Sequence, residues 1–567
     1  MGQEREHFDA IVVGSGFGGS VMAYRLAEAG KTVCVLERGK AYPPGSFPRS
    51  PHDMKENFWD PSRGLHGMFN AWSFRRLGAV VSSGLGGGSL IYANVFIRKD
   101  DKWFVKEDLA NGGYESWPVT RADLDPHYDR VEKIIGFQKY PLDRPPYDTT
   151  PKTLALKAAA EALAHRRSSG DVTWTLPNLA VTFANPGQAP VPGEPIVEAV
   201  PNLHGRARTT CRLCCECNIG CNYGSKNTLD YNYLTRAARA GAELRTRAEV
   251  RGFRPRDGGR GYEIDYVEHR DDVTDTRSLP LRRATCDKLV LAAGTFGSTF
   301  LLLKNRLHFP ALSQRVGQAF SGNGDVLGLA LSSYDRKTRQ GRVINPSLGT
   351  VITSTLRVAD ALDGGGAQGR GFYVQDAGYP EFVNWLAQTA DVPGTLRRLF
   401  NFVVSWIRMH LSSNPTSDLG AQLSALMGDG SFTRSSLPLL GMGREIPNGR
   451  MYLNDAGCLA LDWAEIGSDV YYARVRDTMR DIAGELGASF QDDPVSYLSR
   501  VITVHPLGGC PMGRNPDEGV VDAHGEVFGH PGFYIADGSV LPGPVGPNPS
   551  FTIAACADLF ADKLLGV

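Results

Sequence analysis

An α/β fold is predicted, with a Rossmann-type domain assembled from discontinuous segments and interrupted by an α+β domain on an antiparallel sheet. Three observations carry that reading. A β-α-β unit with a glycine fingerprint opens the chain, the strand and helix rhythm is lost between Val326 and Asp492, and glycine turns with apolar strands return from Val501 to the end. At 567 residues the chain exceeds what one hydrophobic core supports, so two domains or one large elaborated unit are expected.

The elements follow in order. Phe8 to Val13 is an apolar strand, Gly14 to Gly19 a turn, and Ser20 to Ala29 a helix stopped by Gly30, after which Thr32 to Leu36 makes the second strand. Proline-rich punctuation at Tyr140 to Pro151 and at Asn185 to Pro195 brackets a helical stretch at Thr153 to Ala164, read as connections around an inserted domain. Strands at Glu243 to Phe253 and Lys288 to Ala292 resume the α/β order. Alternation over Val351 to Val358 reads as antiparallel sheet, and Gly364 to Gly371 as a flexible loop. The resulting division is 1–140 for the first part of the nucleotide domain and 141–200 for a connecting segment. Residues 201–325 are its second part with a cysteine-rich loop, 326–492 the substrate domain, and 493–567 its C-terminal part.

Lys plus Arg equals Asp plus Glu at 61 each, which gives no electrostatic reason for a nucleic-acid partner and points to a small or apolar molecule. The charged start, Met1 to His7, lacks the apolar region and cleavage site of a signal peptide, so a cytoplasmic protein is expected. No apolar stretch reaches the roughly 20 residues that span a bilayer. The most lipophilic segment, Leu396 to Leu411, is interrupted by Arg397, Arg398, Asn401 and Arg408. It reads as a buried domain helix, with an amphipathic helix at a substrate mouth or in peripheral membrane contact as the alternative.

Gly14, Gly16 and Gly19 satisfy G-x-G-x-x-G between a strand and a helix, with Phe17 and Gly18 inside the turn. Glu37, followed by Arg38, ends the next strand, where a carboxylate bonds the ribose hydroxyls of an adenine dinucleotide whose pyrophosphate rests on the helix N-terminus. A second glycine turn, Gly84 to Leu90, contains Gly86, Gly87 and Ser89 and runs on to Asn94. Such a loop can approach a bulky ring without side-chain interference, which favours flavin over nicotinamide. Near the end, Gly532 to Ser539 reads as a buried strand closing on Asp537 and Gly538, suited to bonding a polyol chain.

With these pieces placed, the chain resembles the glucose–methanol–choline (GMC) flavoprotein oxidoreductases over essentially its whole length, and among them the bacterial cholesterol-oxidase-like branch. The resemblance rests on Gly14 to Gly19, Gly84 to Ser89, Leu291-Ala292-Ala293-Gly294-Thr295, Val504-His505-Pro506-Leu507-Gly508-Gly509-Cys510, and Ala536-Asp537-Gly538-Ser539 through Asn548-Pro549-Ser550. It implies FAD as cofactor, His505 and Asn548 as a catalytic pair facing the flavin, Asp537 beside the ribityl chain and Val250 beside adenine. Ala293 and Gly294 fall at cofactor-binding positions. After Gly294 the match loosens, because Phe296-Gly297-Ser298-Thr299 replaces the usual S-P pair. Gly378 to Leu386 is similar to the stretch that carries a base glutamate in sterol oxidases, which makes Glu381 a third catalytic candidate; a solvated carboxylate at a helix start is the other reading.

The implied reaction is oxidation of an apolar alcohol, a 3β-hydroxysteroid or similar lipid-like molecule, to the carbonyl by hydride transfer to flavin N5. Removing the hydroxyl proton needs an acid/base near neutrality, which histidine supplies, and a directed amide can polarise the developing carbonyl. Oxygen, a quinone or a protein could take the electrons. The alternatives are a GMC dehydrogenase of another alcohol or sugar with an iron–sulfur relay, a flavin-dependent lyase, which would not need the His505 and Asn548 pair, and a non-catalytic electron-transfer flavoprotein.

Five of the ten cysteines stand between Cys211 and Cys221. Cys211, Cys214, Cys217 and Cys221 give C-x2-C-x2-C-x3-C, followed by Asn222 rather than proline. An iron–sulfur cluster, a zinc ion, and packed thiols or a disulfide are all compatible with the run. Ligands so spaced normally serve two clusters, and no second run exists, so the sequence favours a packed thiol-rich loop. Cys34, Cys286, Cys458, Cys510 and Cys556 are scattered and read as reduced packing thiols.

Overall fold

The computed structural model of the protein describes residues 6–49, 53–109, 111–167, 170–258, 260–335, 338, 340–380, 435–463, 467–492 and 501–567. The candidate Glu381 and the lipophilic segment 396–411 lie outside the described residues. Among the described residues no helix is long and apolar enough to cross a membrane.

Parallel strands in the order Glu243–Arg245, Val33–Leu36, Glu6–Val13, Arg282–Leu291 and Phe533–Ile535 form the first layer. This is the Rossmann arrangement, in which ligands bind beyond the carboxyl ends of the strands near the point where strand order reverses. Its strands are continuous apolar runs because both faces are covered: Ile11, Val12, Val35, Leu289 and Leu291 are fully or almost fully buried. Helices Phe17–Glu28 and Ser550–Leu565 pack against each other, and their apolar residues join the same core. Arg282–Leu291 changes partner along its length within one seven-stranded sheet, pairing antiparallel with Tyr262–Glu268 at its start and parallel with Phe533–Ile535 at its end.

The second layer is a six-stranded antiparallel sheet in the order Val172–Thr175, Thr355–Val358, Phe372–Asp376, Leu437–Gly443, Val326–Leu331 and Ser489–Asp492. Helices Pro151–Arg166 and Asp469–Glu485 pack on one face of it and on each other. Side chains alternate across a strand, so Phe372 and Val374 enter the core under these helices. Tyr373 turns to the opposite face, among Trp103, Leu213 and Cys215, and Gln375 shares its parity.

Several expected elements differ in detail. The first helix begins at Phe17 rather than Ser20, since its glycines permit a turn that is already helical. The strand expected over Glu243 to Phe253 is two strands, Glu243–Arg245 and Ala248–Pro255, separated at Arg247 with φ +58 and given different partners. Only Thr355–Val358 of the Val351 to Val358 alternation is strand. The segment read as a connection contributes the helix Pro151–Arg166 and an edge strand to the second layer.

Candidate active site

The fingerprint glycines are required by close backbone approach. A Cβ on Gly18 would lie 1.6 Å from Ala536 O, one on Gly14 2.3 Å from Ala292 O and one on Gly19 2.1 Å from Gly14 O. Gly16 faces open space, with nothing within 4 Å of the Cβ position. The two glycine loops also touch, since a Cβ on Gly87 would sit 2.6 Å from Gly16 Cα. Gly86, with φ +109, makes the turn that a side chain would resist. Ser89 holds this loop: its hydroxyl donates to Gly86 O (2.7 Å) and accepts from Leu229 N (3.1 Å).

Glu37 is buried at the end of its strand and accepts hydrogen bonds from Ser15 N (3.1 Å), Ser15 Oγ (2.7 Å) and Gly39 N (2.8 Å). A carboxylate has about four acceptor sites, so one remains for a ribose hydroxyl. Arg38 stacks over Trp59 at 5.3 Å. Ala248 N donates to Glu37 O (2.8 Å), which brings the buried Val250 to the same end of the site. Phe17 meets Tyr92 edge to face at 5.5 Å. Asn94 is buried with φ +68, and its side chain stands beside the Cys217 thiol.

Asp537 lies at the carboxyl end of Phe533–Ile535 and accepts from Gly294 N (2.9 Å), Ser298 Oγ (2.5 Å) and Ser539 N (2.8 Å). Burial pushes its carboxyl upward against those hydrogen bonds. Ala293 N donates to the same Ser298 Oγ (3.0 Å), so the serine of the loosely matching stretch ties the start of helix Gly294–Lys304 to Asp537. Gly538 O accepts from Gly508 N (3.0 Å), which joins this turn to the run that carries His505. A backbone cradle closed by glycines and a free acceptor site on Glu37 together fit a dinucleotide cofactor such as FAD.

His505 Nδ1 lies 2.8 Å from Asp325 Oδ1, and Asp325 is buried. The other carboxylate oxygen takes Val504 N and Thr503 Oγ1, each at 2.9 Å. A carboxylate so placed is acceptor only, which puts the imidazole proton on Nδ1 and leaves Nε2 as the acceptor nitrogen. Asn548 is buried, and its Oδ1 accepts from Gln375 Nε2 at 2.8 Å, which leaves the Nδ2 donors for another partner.

One turn, Ser321 to Asp325, supports both candidates. Asp325 pairs with His505, while two residues earlier Asn323 accepts from Val545 N (2.9 Å) and Gly546 N (3.0 Å) and donates to Pro547 O (3.2 Å), clamping the loop before Asn548. The turn is fixed in its own right by Glu445, which accepts from Ser321 Oγ (2.8 Å), Gly322 N and Tyr472 OH. Burial pushes the Glu445 carboxyl upward. Asp325, Gln375, Asn323 and Glu445 carry no local sequence signal. The strand parity that sets Gln375 apart from Phe372 and Val374 was the one clue available.

The chain matches the GMC oxidoreductase family model over residues 471–557 and a model of the NAD(P)-binding Rossmann-like domain over residues 12–72. It is 30% identical to a cholesterol oxidase of Mycobacterium tuberculosis, over 97% of this chain and 90% of that protein. A cholesterol oxidase of Acinetobacter baumannii is 25% identical over 97% of this chain and 93% of its own length. Among solved structures, pyridoxine 4-oxidase from Mesorbium loti superposes with a TM-score of 0.54 at 17% identity, covering 98% of each chain, which shows the shared fold. With a Rossmann layer, a glycine cradle and this likeness along nearly its full length, the chain belongs to the GMC oxidoreductases, in their cholesterol-oxidase-like branch, and is an FAD-dependent alcohol oxidoreductase.

Proposed function

We propose that the protein oxidises an apolar alcohol, a 3β-hydroxysteroid or similar lipid-like molecule, to the carbonyl, with His505 as base and Asn548 as the amide that orients the alcohol. The observation that carries this reading is the pair of oriented side chains: His505 tied to Asp325 and Asn548 tied to Gln375, both at 2.8 Å. Bound FAD supplies the two-electron acceptor for the hydride that leaves the carbinol carbon. Gly14, Gly16, Gly18, Gly19, Glu37, Gly86, Gly87, Asn94, Val250, Ala293, Gly294, Asp537 and Gly538 would hold it, with Phe17, Arg38 and Ser89 supporting their loops.

His505 Nε2 accepts the hydroxyl proton as the carbonyl forms, and the Asp325 carboxylate then stabilises the imidazolium. Asn548 Nδ2 donates to the substrate oxygen, a hydrogen bond that gains strength as charge gathers there. Gln375 prevents the amide from turning, so a donor rather than an acceptor meets that oxygen. The balance of 61 acidic and 61 basic residues offers no ionic anchor for substrate, and two relatives are named for cholesterol; both support an apolar alcohol.

His505→Ala is expected to slow reduction of the bound flavin by alcohol by roughly 10²–10⁴-fold while FAD stays bound, the usual scale of acid/base help. Rapid-mixing absorbance at the flavin band checks it, and an unchanged rate removes His505 from the chemistry.

A further inference from the structure

Only Pro549 separates Asn548 from helix Ser550–Leu565, so the helix fixes Asn548 on one side and the irregular loop Gly543 to Pro547 on the other. The whole loop is buried. Pro544 and Pro547 lack an N–H, and no strand of the described residues pairs with the segment, so its remaining backbone groups need partners that water cannot supply.

From Pro544 O to Pro547 O, two side chains provide all of them. Asn323 takes Val545 N (2.9 Å) and Gly546 N (3.0 Å) on its oxygen, and its amide nitrogen donates to Gly546 O (3.3 Å) and Pro547 O (3.2 Å). Lys99 Nζ donates to the two carbonyls left over, Pro544 O (2.8 Å) and Val545 O (3.0 Å). Val545 is thus gripped twice, its N–H by Asn323 and its carbonyl by Lys99. Beside these grips the chain turns at Gly546 (φ +98), where a Cβ would meet the Trp103 ring at 2.4 Å.

Lysine is a costly residue to place here. Its side chain is fully enclosed, and among the described residues no carboxylate hydrogen-bonds it. Burial, followed by the nearby Arg444 guanidinium, pushes its pKa well down. A buried ammonium costs free energy unless its N–H groups find partners. The loop carbonyls are two of those partners, and the face of the Trp117 ring, centred 4.2 Å from Nζ, completes the surroundings. The lysine is itself anchored away from the loop, because its own carbonyl accepts from Arg121 (3.0 Å) at the start of helix Arg121–Ile135. Methionine would fill the same space without the electrostatic cost, so packing alone does not account for a lysine. The two carbonyls do.

We propose that Lys99 is a positioning residue for Asn548: it fixes the loop so that the Asn548 amide stays against Gln375 and directs its Nδ2 hydrogens to the substrate oxygen. The proposal rests on the alcohol reading, in which Asn548 is the orienting amide. Lys99 acts through Asn548 alone, and this separates it from a lysine that only stabilises the fold.

The test is a double-mutant cycle on the FAD-loaded protein, read as the limiting rate of flavin reduction by cholesterol in detergent micelles and by 1-octanol. Lys99→Met keeps most of the stem and removes the donors. Its limiting rate per bound flavin is expected to fall by about 10²-fold, the scale of a small misplacement of an orienting group. The half-saturating alcohol concentration should stay nearly unchanged, as for an interaction made mainly in the transition state. In an Asn548→Ala background the same substitution should change the rate by less than about 2-fold, because the residue it positions is gone. Lys99→Gln, which still donates to one carbonyl, should lose less, and it carries the cycle if Lys99→Met does not fold. A Lys99→Met protein that loses stability and FAD yet reduces its remaining flavin at the unmodified rate would overturn the proposal. So would a full loss of rate that persists without Asn548. An unmodified protein whose flavin neither alcohol reduces, or an Asn548→Ala protein as fast as the unmodified one, would instead defeat the alcohol reading, and the proposal with it.

Discussion

In the proposed mechanism His505 can act as a base only when its second nitrogen holds the proton, and the contact that would hold it there comes from Asp325, 180 positions upstream. Asp325→Asn keeps the shape of the contact but can present an amide N–H to Nδ1, which favours the wrong tautomer. Flavin reduction by alcohol is expected to fall by roughly 10²–10⁴-fold at neutral pH with FAD still bound; stopped-flow rates that match the unmodified protein would remove Asp325 from the mechanism. His505 and Asn548 could be singled out as candidates because each sits in a run with its own turn chemistry, His505-Pro506-Leu507-Gly508-Gly509 and Asn548-Pro549-Ser550. Asp325 and Gln375 could not be, because a lone carboxylate after a glycine and a lone amide in a strand look like solvated residues until tertiary pairing joins them to their partners. Glu445 was missed for the same reason, and it is a glutamate that the fold places beside the turn that supports His505 and Asn548.

At the scale of elements, helices Phe17–Glu28, Arg121–Ile135 and Ser550–Leu565 are pinned by one cluster of charges. Asp558, fully buried, pairs with Arg25 and with Arg130 (2.6 Å) and accepts from His127 Nδ1 (2.8 Å), while Asp562 takes Arg25 (2.5 Å) and Arg130 (2.6 Å). Burial alone would raise the Asp558 carboxyl, but His127 and the two guanidinium groups hold it below its usual range. A folded-state value depressed in this way adds stability above the unfolded value near 3.9, lost as pH falls through the folded one. Asp558→Asn is therefore expected to cost about 3–5 kcal/mol in urea unfolding at pH 7, with the difference shrinking below about pH 4; equal midpoints at pH 7 would contradict this. The sequence pattern did not reveal Arg121–Ile135, where Pro126 interrupts the helical signal although Thr120 and Asp123 form a capping box. Nor did it reveal Ser550–Leu565, whose apolar residues are too continuous to show a helical period. The first β-α-β unit was legible almost to its boundaries, because glycine spacing and a buried apolar strand are both local signals.

For the whole molecule, two sheets divide the work: the parallel layer carries the glycine cradle and the antiparallel layer supplies Gln375 and, through Glu445, the support of the turn at Ser321 to Asp325. The rhythm of the chain located both layers, yet the strand Val172–Thr175 and the helix before it belong to the second layer across some 180 residues of sequence, a pairing that no local pattern encodes. The central claim is that this two-layer architecture delivers an apolar alcohol to a bound flavin. Its most direct test is anaerobic titration of the purified protein, followed at the flavin absorbance, with sterols, long-chain alcohols, aryl alcohols and sugars. The account predicts a yellow, FAD-containing protein whose flavin is bleached fastest by a sterol or long-chain alcohol. A colourless protein that binds a nicotinamide dinucleotide, or a flavin reduced by glucose or choline far faster than by any apolar alcohol, would contradict it.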